Sequence, residues 1–300
     1  MKKINVDKYL RKREGFFDRT WVFNSIADLD EIISIPYEEN KEYSKVYKYK
    51  NECSSGRKKE GVYSSLYYFK TFEEAHNTML HGWENGTVDL KNEIKNIKIK
   101  TNKNIKMKSE YNVIGGNVSV PRYLQGIPNN MILNKMVEKK DKILNIYKTI
   151  GYSSKYSAYT VMREAAKSVI LIDMLENMGY RCNLFIVKYN VDDFNKRKLQ
   201  SFTFKIKIKD ANEKLNLKKI SFFLSNPDFQ RRIVWRLFEL HPDCTKKFYA
   251  YGSVIDYHCN TLQDYYKYYS EVFDFKKNDI ILPIIIDNID EFIKSIMERK

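Results

Sequence analysis

One segment in the second half of the chain constrains the fold more than any other, because it has the pattern of a strand, a helix and a second strand. An apolar run of strand length, Ile143–Ile150, comes first. After Ser157, which can cap a helix, apolar residues recur at intervals of three and four until Gly179 ends the pattern. Cys182–Tyr189 is a second short apolar run. A strand-helix-strand unit of this kind predicts a parallel, buried sheet.

The rest of the second half supplies further elements for this sheet. Residues 202–209 alternate apolar and polar side chains, which predicts a strand with one wet face at a sheet edge. The sequence Asn-Pro-Asp at 226–228 predicts the start of a helix that runs to about Leu240. An apolar run over 280–286 predicts another strand, and 287–297 has the pattern of a closing helix.

We therefore predict an α/β fold, a doubly wound and mostly parallel sheet, with an α+β region before it. The strands at 143–150, 182–189 and 280–286 should lie side by side, with a right-handed crossover between the first two. The helices Tyr159–Met178 and Asp287–Met297 should pack against the faces of the sheet. An antiparallel barrel or a helical bundle would contradict this prediction.

The chain has 300 residues, enough for one large domain or two small ones. We expect three regions: an irregular N-terminal arm over 1–60, an α+β region over 61–140, and the α/β domain over 141–300. In the middle region, residues 71–82 have the pattern of a helix that starts with a capping box. Glycines and prolines over 111–131 predict an ordered, non-helical loop.

The net charge of +15 raises the question of a nucleic-acid partner, because basic side chains that neutralise phosphates supply non-specific affinity. The chain has 41 lysines but 12 arginines, together with many Asn, Ile and Tyr residues, which is what A/T-rich codons produce whatever the function. From Lys91 to Lys108, seven lysines and one acid give a local charge of +6. This basic segment is either a solvated amphipathic face or a surface for a polyanion.

Nine side chains are candidates for binding a nucleic acid or a protein partner: Lys91, Lys95, Lys98, Lys100, Arg122, Tyr123, Arg231, Arg232 and Arg236. The arginine group at 231–236 is the densest in the chain, and codon bias does not explain it. Ion pairing with Asp228 and Glu239 is the alternative role for these arginines. The pair at 122–123 lies in the loop bounded by glycine and proline, and loops held at both ends often carry function.

The chain contains no complete catalytic or metal-binding motif. Its four cysteines include no Cys-x-x-Cys pair, so reduced thiols are expected. Histidines and cysteines suited to zinc occur between His241 and Cys259, but not at the spacing of a compact zinc site. Ser153 and Ser154 lack the Gly-x-Ser-x-Gly pattern of a nucleophile elbow. We therefore expect no metal and no cofactor, and the pattern favours a protein that is not an enzyme.

Two stretches resemble an uncharacterised protein family encoded by tailed bacteriophages and prophages. They are the segment from Gly115 to Met131, with Pro-Arg-Tyr-Leu at its centre, and Asn226–Arg232. A third similar piece begins at Phe72. The resemblance covers roughly residues 60–298 and implies a phage origin, but it brings no catalytic residues to carry over.

The order of elements in the second half is similar to that of a von Willebrand factor A domain, which is a doubly wound α/β sheet. In that fold the first strand ends in Asp-x-Ser-x-Ser, whose oxygens hold a divalent ion. Here the corresponding stretch runs from Gly151 to Lys155 and keeps only Ser153 of those ligands. The resemblance therefore implies the fold without the metal site.

These observations lead to a primary hypothesis and two alternatives. The primary one is a non-enzymatic, phage-encoded interaction module that binds a phage or host protein during virion assembly or takeover of the host. The alternatives are a basic protein of phage replication or packaging that binds DNA or RNA, and a metal-dependent hydrolase. No apolar run approaches the roughly 18–20 residues that span a bilayer, and the first residues lack a secretory signal. We expect a soluble protein of the host cytoplasm or the virion, without a membrane partner.

Overall fold

The computed structural model describes residues 10–12, 17–35, 68–97, 107–136, 142–152, 156–192, 200–240, 253–254, 261–270, 273, 275–276 and 278–298. The strands are β1 (Leu10–Lys12), β2 (Phe17–Phe23), β3 (Met107–Asn112), β4 (Asn117–Val118), β5 (Met131–Met136), β6 (Lys142–Thr149), β7 (Tyr180–Asp192), β8 (Gln200–Lys209), β9 (Ser253–Val254) and β10 (Ile280–Leu282). The helices are α1 (Ile26–Ile33), α2 (Phe72–His81), α3 (Glu84–Asn96), α4 (Val120–Leu124), α5 (Ala158–Asn177), α6 (Leu217–Ser225), α7 (Trp235–Leu240), α8 (Leu262–Ser270) and α9 (Ile289–Glu298). A π-helical turn, Phe229–Val234, leads directly into α7.

The main sheet is mixed, and its central part is mostly parallel. Six strands lie in the order β1-β2-β8-β7-β6-β10, and the short β9 also pairs with β7. Along the run β2-β8-β7-β6-β10, only β8 and β7 are antiparallel. Helices accompany this sheet, so the predicted α/β class is confirmed.

The three strands expected to be neighbours are confirmed as neighbours. β6 lies between β10 and β7, and it is parallel to both. The predicted helices correspond to α5 and α9. α5 connects β6 to β7 and is buried along most of its length, since it contacts α3 and α6 as well as β7. β10 is shorter than predicted because it ends before Pro283, which has no N–H to give to a neighbouring strand.

Apolar side chains are buried on both faces of the central strands. On one face, Ile146 of β6 and Leu184 of β7 belong to the large core that includes much of α5. On the other face, Tyr147, Val187 and Phe273 belong to a second, smaller core. Burial on both faces is what a doubly wound sheet requires.

The strand predicted at a sheet edge, 202–209, is not at an edge, so that prediction was wrong. It is β8, and β2 and β7 pair with its two sides. Its polar side chains misled the prediction because several are accommodated inside the protein. Thr203 is buried, and Lys209 is 2 % exposed with its Nζ donating to Glu176 Oε1 over 2.6 Å.

The N-terminal region was predicted to be an irregular arm over residues 1–60. Where the structure describes it, this region instead forms part of the main sheet. β2 pairs in parallel with β8 from Phe17 to Phe23. Trp21 and Phe23 are fully buried in the main core, and α1 adds Leu29 and Ile32 to it. This part of the chain therefore completes the sheet that the second half begins.

The middle region contains a second, smaller sheet. Its strands lie in the order β3-β5-β4, and both pairs are antiparallel. The loop predicted over 111–131 is ordered, but it contains the short helix α4, which begins with Pro121 in its first turn. The capping box of Thr71 and Glu74 is confirmed at the start of α2.

Candidate functional site

Arg232, a predicted binding residue, is 1 % exposed and holds two segments of the chain together. Its Nε donates to Asp228 Oδ1 (3.1 Å), and its Nη2 donates to the carbonyl oxygens of Phe69 (2.6 Å) and Lys70 (3.1 Å). The other carboxylate oxygen of Asp228 accepts from the backbone N–H groups of Tyr68 and Phe69. The ion pair with Asp228, which was the alternative role, is the one that the structure shows.

Arg236 is also buried and bonded within the chain. Its Nε donates to the carbonyl oxygen of Ile33 (3.4 Å), and its Nη2 donates to that of Ile35. Its guanidinium lies 5.8 Å from the centroid of the Phe72 ring. Arg232 and Arg236 therefore do not form the exposed basic face that was predicted for the arginine group.

The other basic candidates that the structure describes lie on different elements. Lys91 and Lys95 are exposed and lie one turn apart on α3. Lys98 and Lys100 lie outside the described residues. Arg231 is half-buried, with its Cζ 5.4 Å from the centroid of the Trp235 ring. Because Arg232 and Arg236 are buried, the candidates that the structure describes do not make one continuous basic surface.

Exposed apolar side chains are concentrated in one short stretch, residues 111–124, which we call the apolar segment. It carries seven of the large apolar side chains that the structure leaves exposed: Tyr111, Val113, Ile114, Val118, Val120, Tyr123 and Leu124. Ile114 is 78 % exposed and Leu124 is 77 % exposed. On α4, positions 120, 123 and 124 share one side of the helix, because residues three and four apart are neighbours on a helix surface.

Arg122 and Tyr123, the remaining candidates, both lie in the apolar segment. The Arg122 guanidinium lies 4.1 Å from the centroid of the Tyr111 ring, a cation–π contact. The Arg122 Nε is buried and has no hydrogen-bond partner among the residues that the structure describes. Tyr123 is 63 % exposed.

The backbone holds the apolar segment in a defined shape. A Cβ atom at Gly115 would lie 2.4 Å from the carbonyl oxygen of Ile132, so only glycine fits where the chain passes β5. Gly116 N–H donates to that same oxygen (3.1 Å), and Ser119 N–H donates to the Asn130 carbonyl (2.7 Å). The exposed side chains are therefore displayed on a hydrogen-bonded frame.

Two buried lysines, Lys148 and Lys188, lie where β6 ends beside β7. Lys148 and Lys188 are on the face of the sheet that packs against α5, because Lys148 pairs with Ile186, a core residue of that face, two positions before Lys188. Lys148 is fully buried, and its Nζ donates to the carbonyl oxygens of Pro283 (2.6 Å) and Ile284 (3.0 Å). Ligands of open α/β sheets bind at this edge.

Glu164 and Lys167 of α5 form a second buried group close to Lys148. Lys167 Nζ donates to Glu164 Oε1 (2.6 Å) and to the carbonyl oxygen of Ile286. The other oxygen of Glu164 accepts from the Ile286 N–H (2.7 Å). These bonds attach the segment after β10 to α5, so the pair has a structural role.

Burial perturbs the acid-base behaviour of this region. It lowers the pKa of Lys148 to about 8, with Glu164 opposing and Lys167 adding to the fall. Burial also lowers the pKa of Lys188 to about 7, and the positive charge of Arg231 acts in the same direction. The pKa of the Tyr152 hydroxyl is raised, first by burial and then by the negative charge of Glu164. Such shifts occur both at functional sites and in structural networks.

The candidates for metal binding and nucleophilic catalysis lie largely outside the described residues: Ser153, Ser154, Lys155, His241, Cys244, His258 and Cys259. Cys182 is described, and it is a buried cysteine on β7. Among the described residues there is no group of three or more histidine, cysteine or carboxylate side chains that could hold a metal ion.

Comparison with known proteins adds one finding. A family model described as a domain of unknown function, DUF7192, matches residues 18–297. The chain belongs to this family. The match begins inside β2, so the DUF7192 region includes the N-terminal strand that completes the sheet as well as the second half. Searches of the curated proteins and of the solved structures found no match to the chain.

No helix in the described part of the DUF7192 chain is long and apolar enough to cross a membrane.

The sequence alone did not indicate two features of the structure, the apolar segment and the burial of Lys188. The search for candidate residues was incomplete in both places. It selected Arg122 and Tyr123 but not the apolar side chains around them, although Val113, Ile114 and Leu124 lie in the same glycine-bounded stretch. It also missed Lys188, because a lysine inside an apolar run is equally compatible with an exposed strand position.

Proposed function

We propose that this DUF7192 protein is a protein-interaction module that binds another protein through the apolar segment. The observation that carries this proposal is the concentration of exposed apolar side chains over residues 111–124. Exposed apolar residues scattered singly are ordinary, whereas a cluster of them is typical of a binding surface.

The composition of the segment supports a protein partner. Interface cores are enriched in tyrosine, arginine and other large side chains and depleted in lysine and acids. The segment contains Tyr111, Tyr123 and Arg122 and no lysine or acid. Because its frame is hydrogen-bonded, binding would not have to order a flexible loop, which lowers the entropic cost of association.

Arg122 supports a specific chemistry for the partner. Its guanidinium already covers one ring face of Tyr111, and its Nε lacks a hydrogen-bond acceptor among the described residues. A carboxylate set among apolar side chains would supply that acceptor and bind the planar guanidinium in the geometry that arginine favours. We therefore expect a partner surface that is apolar with an acidic residue at its centre.

The biological setting is proposed from the sequence resemblance alone. The segment from Gly115 to Met131, which resembles a tailed-phage family, contains most of the apolar segment. We propose that the partner is a phage or host protein and that binding serves virion assembly or takeover of the host. The burial of Arg232 and Arg236 removes support from the alternative of nucleic-acid binding.

Site-specific photo-crosslinking tests the proposal. A photoreactive phenylalanine analogue replaces Tyr123 in one variant and Tyr159 in the other, in the cell that expresses the gene. These two tyrosines are a matched pair, since they are 63 % and 62 % exposed and lie on separate helices. We expect a covalent adduct with one other protein from position 123 but not from position 159.

Several results would contradict the proposal. Among them are equal adducts from the two positions, no protein adduct from position 123, and an adduct with nucleic acid there. An adduct of position 123 with a second copy of the chain would also contradict it, because the segment would then be a homo-oligomer interface. As a further control, Leu124→Asp should abolish the adduct from position 123, since it places a charge within the proposed contact.

A further inference from the structure

The whole chain carries a net charge of +15, from 53 basic and 38 acidic residues. Ion pairs between its own side chains cannot change this net charge, so the molecule is surrounded by a positive potential. This potential acts on any molecule that approaches, whether or not codon bias produced the lysines. A second macromolecule is therefore attracted or repelled according to its own net charge.

More than half of the net charge belongs to the part of the sequence that surrounds the apolar segment. Residues 91–142 include twelve basic and four acidic residues, a net charge of +8. The basic segment, 91–108, contributes +6, and residues 135–142 contribute four lysines and two acids. We call these two stretches the basic flanks. The apolar segment between them has Arg122 as its single charged residue.

The small sheet has the basic flanks attached to one end and the apolar segment attached near the other. Met107 at the start of β3 and Met136 at the end of β5 are paired, so the chain enters and leaves this sheet side by side. The apolar segment begins near the opposite end of β3, at Tyr111. Along the six residues of β3 the two ends are about 17 Å apart. That distance is within the range of electrostatic interactions at low salt and about twice their range at physiological salt.

We propose that the protein bound by the apolar segment is acidic, with a net negative charge, and that the basic flanks attract it before the apolar side chains make contact. The inference rests on the proposed function and adds the charge of the partner to it. A basic protein would be repelled by the same charges, which discriminates against it. A nucleic acid fits less well, since the apolar segment offers no lysine to phosphates and would leave Val113, Ile114 and Leu124 without an apolar contact.

The sequence and the binding kinetics of the protein captured at position 123 test the proposal. Its net charge should be negative. Its association with the full chain, measured by stopped flow, should slow about tenfold or more when NaCl rises from about 20 to about 300 mM, because salt screens the attraction. The dissociation rate should change about twofold or less, since apolar contacts hold the complex together and salt does not screen them.

Two double variants with opposite charge give a matched comparison. Gln125 and Asn129 are exposed and lie between α4 and β5, next to the apolar segment but outside it. Gln125→Glu with Asn129→Asp should slow association about threefold or more at about 20 mM NaCl, whereas Gln125→Lys with Asn129→Lys should accelerate it. Both differences should disappear at about 300 mM NaCl. Leu124→Ala changes no charge and should instead increase the dissociation rate, because it removes part of the contact.

Failure of this inference is distinguishable from failure of the proposed function. A captured protein that is neutral or basic overturns this inference alone. An association rate that does not depend on salt does the same, as does an equal rate for the two double variants at low salt. The absence of any protein adduct from position 123, or an adduct with nucleic acid there, overturns the proposed function and this inference together. Unfolding curves in urea establish that each variant is folded.

Discussion

The substitution Lys188→Met should stabilise the protein, although it removes a charged group from the interior. The pKa of Lys188 falls from 10.5 in a model peptide to about 7 in the folded chain. Each pKa unit corresponds to 1.36 kcal/mol, so keeping Lys188 protonated in the folded state costs up to about 5 kcal/mol below pH 7. Methionine fills a similar volume without a charge, so the variant does not have this cost.

The sign of the pH dependence follows from the same pKa shift. Between pH 7 and pH 10.5 the unfolded chain keeps a proton on Lys188 that the folded chain has lost, so the stability of the wild type should rise with pH. The free energy of unfolding from urea curves, in buffers without phosphate or sulfate, measures this rise. Lys188→Met should be more stable than the wild type at pH 6.5, and the difference should shrink as the pH increases towards 10.

A matched substitution distinguishes this effect from a general preference for methionine. Lys209 is equally buried, but its Nζ donates to Glu176 (2.6 Å) and to the carbonyl oxygen of Cys182 (2.9 Å). Lys209→Met should therefore destabilise the fold, because it leaves those acceptors without a donor. The reasoning is refuted if Lys188→Met is less stable than the wild type at pH 6.5, or if the difference between them does not change with pH.

Two further substitutions test the account of the fold. Arg232→Met leaves the buried carboxylate of Asp228 without its ion pair and should lower the free energy of unfolding by about 3–5 kcal/mol. A loss under about 1 kcal/mol in urea curves would contradict a stabilising role for this ion pair. A Cβ atom at Gly86 would lie 1.9 Å from the Trp83 ring, whereas one at Gly116 would meet nothing within 4 Å. Gly86→Ala should therefore lower the melting temperature by several degrees and Gly116→Ala should not. Equal effects would contradict the close contact between Gly86 and the Trp83 ring.

Local patterns predicted the parts of the fold that short stretches of sequence determine. The strand-helix-strand unit from β6 to β7 and the capping box at Thr71 depend on residues close together in the chain. The parallel pairing of β2 with β8 joins residues nearly two hundred positions apart. No local pattern encodes such a contact, so the N-terminal strand was taken for an irregular arm and β8 for an edge.

The candidate site was predicted only in part, for a similar reason. Arg122 and Tyr123 were selected because glycine and proline fix the loop around them, and the structure places both in the apolar segment. Arg232 and Arg236 were selected as a basic face, but their acceptors lie in segments remote in sequence, so their burial could not be read from the helix itself. Lys188 lies in an apolar run, and only the structure shows that this lysine is buried.

The affinity of the chain for the protein captured at position 123 tests the central claim most directly. The measurement compares the wild type with Tyr123→Asp and Tyr159→Asp, which make the same change at nearly equal exposure. A charge placed in an interface core costs about 2 kcal/mol or more, so Tyr123→Asp should raise the dissociation constant at least thirtyfold. Tyr159→Asp should change it less than twofold. Equal affinities for the two variants, or a larger loss for Tyr159→Asp, would show that the apolar segment is not the binding surface.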